Sequence, residues 1–240
     1  GALHFLEHVV LQGCKTYPLV KNLALRAEEI GTVYNGFTSN LDTRYVFMAP
    51  DYKIREALDF TSEILMHPLM SSRAIENSRK VILTEQKSHW DIPENKFYHQ
   101  ARGNIIGIKH PYNRRGFGEM ETVRKITKEK LSETYEKYYI PQNFKISIVG
   151  KLNVEEVKRL LKKTFGVWVK KGQKIKWPVP NRPETKPSIF HYQEPRKQVK
   201  FIIWFPLQGF KEYEIRERII ILLFNFLLGA SRTSSLYLKI

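Results

Sequence analysis

The chain has 240 residues, 42% of them hydrophobic, and its 40 Lys and Arg outnumber 24 Asp and Glu to give a formal net charge of +16. That size allows one large core or two modest ones. No apolar run reaches the roughly eighteen residues of a membrane-spanning helix, and the positive charge is scattered with no recognisable nucleic-acid module, so neither a membrane nor a nucleic acid is expected as partner.

The lone cysteine, Cys14, rules out a disulfide within the chain and favours a reducing compartment, the cytoplasm first. An opening on Gly1 rather than Met, with a helix already under way, points to an upstream segment, which leaves the mitochondrial matrix and the periplasm open.

In chain order, residues 2–12 read as a helix ending near Gly13, and a second helical run through Leu23, Leu25 and Ile30 stops at Gly31. From Thr32 to Ala49 the pattern turns to Val, Tyr, Phe and Thr around a polar break at Ser39-Asn40-Leu41-Asp42, which predicts an antiparallel hairpin. Helical spacing returns at 51–66, and Ser71-Ser72 opens a longer helix to about Trp90, ended by Asp91-Ile92-Pro93. Further helices are expected at 95–106, 127–138 (capped by Thr127) and 153–165 (capped by Asn153), with a strand at 144–149 between the last two. Pro178, Pro180, Pro183 and Pro187 among many lysines suit a linker. Beyond it, 189–193 and 198–205 read as strands and 212–228 as an apolar helix ending at Gly229.

Chemistry concentrates in the first helix, at His4-Phe5-Leu6-Glu7-His8. Residues four apart stand one above the other on a helix face, so His4 and His8 can meet one metal ion while Glu7 hangs beside them. Imidazoles suit zinc. A catalytic zinc site keeps three protein ligands and an open position for water, and a neighbouring carboxylate serves as general base. The third ligand has to come from elsewhere. Glu85, on the helix that opens at Ser72, can complete the set if that helix packs beside the first. Read alone, two histidines and a glutamate also occur together on surface helices, and Glu85 also reads as a solvated helix charge.

These residues resemble the signature of the insulinase, or pitrilysin, family of zinc peptidases, which includes the mitochondrial processing peptidase. Gly1-Ala2-Leu3-His4-Phe5-Leu6-Glu7-His8 is similar to its inverted zinc motif. Asn35-Gly36-Phe37-Thr38 followed by Thr43-Arg44-Tyr45 resembles its Asn-Ala-x-Thr hairpin, and Val81-Ile82-Leu83-Thr84-Glu85 resembles the helix with its third ligand. Seventy-six residues separate His8 from Glu85, the family's spacing. Asp91-Ile92-Pro93, His110-Pro111, Tyr139-Ile140-Pro141-Gln142-Asn143 and Val149-Gly150 follow as landmarks in the family's order, and Leu228-Gly229-Ala230 to Leu236 resembles the glycine-serine turn of the second unit, so the resemblance covers nearly the whole chain.

The resemblance implies an α+β fold of repeated units, each an antiparallel sheet with helices packed on one face. Residues 1–166 then form the zinc-bearing domain, 167–187 a linker and 188–240 the start of an incomplete second unit. It implies one zinc ion on His4, His8 and Glu85, with Glu7 activating water in a zinc endopeptidase that hydrolyses peptides or short unfolded segments. A peptide substrate is expected to add as a strand near Asn35, Gly36 and Phe37. A second half of the same chain, or a partner subunit, is expected to close the chamber. The resemblance also exposes a departure: many active relatives carry an acidic residue seven before the third ligand, and here Ser78 supplies only a hydroxyl behind the ligand. A non-catalytic subunit with a structural or substrate-presenting role is therefore the alternative.

Overall fold

The computed structural model describes residues 1–170, 172–175, 188–193, 202–204, 207, 209, 212–230 and 234. The chain divides into two compact units: Gly1–Glu184 with Ser188–Tyr192, and Thr185–Pro187 with Gln193–Ile240. The architecture is α+β, mostly helical, with a two-stranded antiparallel sheet among the described residues.

In the first unit, helix α1 (Ala2–Val10) sends Phe5, Leu6, Val9 and Val10 into the core, all fully buried. Helix α2 (Val20–Ile30) ends on Gly31 in the left-handed conformation (φ 72°, ψ 31°), which a residue without Cβ adopts at little cost, and the Gly31 amide closes the last turn on the Ala27 and Glu28 carbonyls. Strands β1 (Val33–Thr38) and β2 (Thr43–Met48) pair antiparallel from Val33 opposite Met48 to Thr38 opposite Thr43. Exposure alternates along both strands, so Tyr34, Gly36, Thr38, Thr43, Tyr45 and Phe47 share the inner face and Val33, Asn35 and Phe37 look outward.

Helices α3 (Ile54–Met66), α4 (Ser72–Asp91) and α5 (Pro93–Ile106) follow. The Ser71 side chain caps α4 by accepting from the Ala74 amide, and Pro93 starts α5 where its missing N–H is harmless. Helix α6 (Met120–Lys125) has six residues, too few for a hydrophobic period to announce it. Thr127 caps α7 (Lys128–Tyr138) and Asn153 caps α8 (Val154–Thr164), as their positions predict. Four elements surround α1, since α4, α7, β1 and β2 all pack against it.

Among the described residues the expected strand at 144–149 carries no ladder. Its alternating apolar residues favour extended backbone, and Phe144 has it (φ −91°, ψ 143°), but a strand is completed by a neighbour's hydrogen bonds, and Val149 stands 94% exposed with nothing over it. Among the described residues, the expected strand at 189–193 likewise has no ladder. Of the expected strand at 198–205 only 202–204 lie among the described residues, and the rest falls outside them.

In the second unit, α9 (Ile215–Asn225) is shorter than the expected 212–228 and runs into a π turn, Phe226–Ala230. A capping box fixes its start: the Glu214 side chain accepts from the third helical amide, and Glu217 accepts from the Glu214 amide.

Candidate metal centre

The centre is built on one turn of α1. His4 and His8 lie four residues apart, with ring centroids 4.7 Å apart and planes at 75°. Their Nε2 atoms stand 3.3 Å from each other. From α4, Glu85 Oε2 reaches to 3.8 Å from His4 Nε2 and 3.5 Å from His8 Nε2. Glu85 keeps 47% of its side chain exposed, whereas both histidines are largely covered. The packing of α4 on α1 thus joins the three residues across the 76 that separate His8 from Glu85.

Two imidazole nitrogens and a carboxylate oxygen are a donor set that zinc accepts, and ligands about 2.0–2.1 Å from a tetrahedral ion lie about 3.3 Å from one another. The three separations here, 3.3, 3.5 and 3.8 Å, fit that figure without rearrangement of the backbone. Among the described residues this is the one group of three or more His, Cys, Asp or Glu side chains close enough to share an ion. His4 Nδ1 is buried without a hydrogen-bond partner. Burial first, then the neighbouring His8 charge and the N-terminal amine, lower the His4 pKa to about 4, so the ring is neutral and its lone pair available at neutral pH.

Glu7, between the two histidines in sequence, turns to the hairpin. It is 5% exposed, and its Oε2 accepts a 2.7 Å hydrogen bond from Thr38 Oγ1. Burial raises its pKa, partly offset by the Thr38 hydrogen bond and the charge of His8. A carboxyl shifted in that direction holds a proton more readily than a free one, as a general base must.

Of the residues read as a peptide-binding strand, Asn35 and Phe37 are on the outer face and exposed, while Gly36 points inward. A Cβ on Gly36 would stand 2.8 Å from Glu7 Cγ and 2.9 Å from its Cδ, so the strand lies directly on the glutamate. The Gly36 amide donates to Asn35 Oδ1 at 2.9 Å, and an added strand has to displace that side chain to use it. Ser78 is fully buried and its hydroxyl has no hydrogen-bond partner among the described residues, so no bond joins it to Glu85. Glu76 is ion-paired with Arg79 instead. His89 packs between Trp90 and Phe117 beside Asn95 and stays out of the cluster.

Sequence reasoning missed Thr38 as the partner of Glu7, and it missed the pairing of half-buried Tyr45 with buried Tyr139, whose hydroxyls meet at 2.5 Å and tie β2 to the end of α7. Burial pushes both phenols up, with Glu7 near enough to add to the shift. The strand's period of two, which puts 36 and 38 on one face, was the available signal for Thr38.

Comparison with known proteins matches residues 1–111 to a family model described as insulinase, peptidase family M16, and residues 125–240 to one described as the peptidase M16 inactive domain. An uncharacterized zinc protease of Mycobacterium leprae is 25% identical over 72% of the chain and 38% of its own length. A "probable mitochondrial-processing peptidase subunit beta" of Schizosaccharomyces pombe is 30% identical over 69% of the chain and 36% of its own length. The chain therefore spans little more than a third of these relatives. The crystal structure of a protease from Helicobacter pylori superposes with a TM-score of 0.64 at 23% identity, covering 77% of this chain and 44% of that one, and so shares its fold.

Proposed function

The chain belongs to the insulinase family of M16 peptidases, and from that premise we propose that the whole protein is a zinc-dependent endopeptidase acting on peptides or short unfolded segments. The observation that carries this reading is the trio of His4, His8 and Glu85 at zinc-ligand separations, with Glu7 close enough to His8 and Glu85 for their charges to act on it. On this reading residues 1–166 are the zinc-bearing domain, 167–187 a linker and 188–240 the beginning of a second.

His4 and His8 would hold zinc through Nε2 and Glu85 through a carboxylate oxygen. Zinc bound there supplies Lewis acidity, drawing electrons from the scissile carbonyl and easing loss of a proton from the attacking water. Glu7 takes that proton and returns it to the departing amine, and its burial keeps solvent from competing. The peptide lies as an added strand at the edge near Asn35, Gly36 and Phe37, where main-chain hydrogen bonds bind without strong side-chain preference. A second half of the chain, or a partner subunit, completes the enclosure.

One feature favours the second reading, a substrate-presenting subunit without catalysis: Ser78 brings no charge behind Glu85, and its hydroxyl has no hydrogen-bond partner among the described residues. The two readings separate on Glu7→Gln. In a catalyst the full-length variant keeps its zinc and loses about 10²- to 10⁴-fold in kcat on a quenched fluorescent peptide. Equal turnover by variant and wild type, or a wild type that neither holds zinc nor cleaves, removes the peptidase reading.

A further inference from the structure

Two residues of the inner face of β1, Gly36 and Thr38, reach Glu7 in the middle of α1. Thr38 Oγ1 is 2.7 Å from Glu7 Oε2. Gly36 lies against the same carboxylate so closely that a methyl group there would collide with it. Thr38 is also bonded sideways, with Oγ1 3.2 Å from the hydroxyl of Thr43, its opposite number on β2.

The direction of these bonds follows from the chemistry of the groups. An ionised carboxylate only accepts, and a threonine hydroxyl has one hydrogen. Thr38 therefore donates to Glu7, which leaves its lone pairs for the hydroxyl of Thr43. The result is a two-step chain of donors, Thr43 to Thr38 to Glu7, in which each bond polarises the next. It ends on Oε2, while Oε1 lies against Gly36 and accepts no hydrogen bond among the described residues.

We propose that Thr38 is a positioning residue for Glu7, supported by Thr43, which fixes one carboxylate oxygen to the strand that borders the peptide and leaves the other to exchange the proton. The inference rests on the peptidase reading for its catalytic meaning. Because Oε1 is the oxygen that gains and loses the proton, the bond at Oε2 persists through the cycle and the carboxylate keeps its orientation. Since β1 carries both the clamp and the edge where the peptide is read, seating of the peptide and aim of the base depend on one rigid strand. Gly36 is part of the device: its lack of a side chain lets the strand approach close enough for Thr38 to reach.

The test uses full-length protein with Thr38→Val, which keeps the shape and removes the donor, and Thr38→Ser, which keeps the donor. Thr38→Val is expected to lower kcat about 10- to 100-fold, the rate equivalent of one charge-assisted hydrogen bond, while KM stays within about twofold and zinc content is unchanged. Thr38→Ser is expected to remain within about threefold of wild type, and Thr43→Val to lose less than Thr38→Val. A second readout needs neither zinc nor turnover. The infrared carboxylate band of Glu7, isolated in zinc-free protein at pH 8 by subtracting the spectrum of Glu7→Gln, should move in Thr38→Val and return in Thr38→Ser. An unmoved band, equal damage by Val and Ser, or a loss confined to KM overturns the inference. A wild type that cleaves while the band stays put sinks Thr38 alone, whereas a wild type that never cleaves sinks the peptidase reading, whatever the band does.

Discussion

Helices α1 and α9 are both rich in large apolar residues, yet they meet opposite surroundings. Phe5, Leu6, Val9 and Val10 of α1 are fully buried because α4, α7 and the hairpin enclose that helix. In α9, Ile220 is 63% and Phe224 63% exposed, and the π turn that follows leaves Leu227 at 62%. Apolar content announces a helix in both cases, but only enclosure aims its polar residues. His4 and His8 point at Glu85, and Glu7 at Thr38, because the apolar side of α1 is pinned all round.

The contrast can be broken most severely at Leu6, whose neighbours in sequence are Phe5 and Glu7. Leu6→Ala should cost about 2–5 kcal/mol in unfolding free energy, and the loosened helix should bind zinc more weakly. Urea unfolding and metal titration measure the two together, and a loss below about 1 kcal/mol would mean that α1 is not held as described.

A smaller effect comes from acid. The folded pKa of His4 is lowered from 6.5 to about 4, so unfolding takes up a proton between those values. Its contribution is complete above pH 6.5 and is lost as pH falls toward 4. In zinc-free protein the urea midpoint should drop from pH 7 to pH 5 by more in wild type than in His4→Gln. Glu7, shifted upward, contributes with the opposite sign and is common to both proteins, so the difference isolates His4. Equal drops would contradict the burial of a neutral ring.

The smallest effect belongs to α9. In the 240-residue chain, Leu223→Ser should change unfolding free energy by no more than about 0.5 kcal/mol, the range of exposed positions, against the far larger loss at Leu6. A cost near that of Leu6→Ala would show that the face is enclosed after all.

Much of this arrangement is legible in the sequence where the controlling forces are local. The caps Ser71, Thr127 and Asn153, the stop at Gly31 and the hairpin turn all rest on contacts within a few residues, and each is where its residue type predicts. The pairing of His4 with His8 is equally local, being one helical turn. Glu85 is different, because no spacing rule spans 76 residues, and family resemblance supplied what periodicity cannot. The bond of Thr38 to Glu7 and the meeting of Tyr45 with Tyr139 are contacts between separate elements, settled by how the hairpin lies on α1 and α7. The segment 144–149 shows the converse: residues suited to a strand have no ladder among the described residues, because a strand is completed by a partner that its own pattern does not specify.

The central claim is that His4, His8 and Glu85 form one zinc site, and zinc content with X-ray absorption on full-length protein tests it most directly. One zinc per motif is expected, with two imidazole nitrogens and a carboxylate oxygen about 2.0–2.2 Å from the metal, and with binding lost in Glu85→Ala and in His8→Ala. Zinc retained undiminished by both variants, or bound through sulfur, would contradict it.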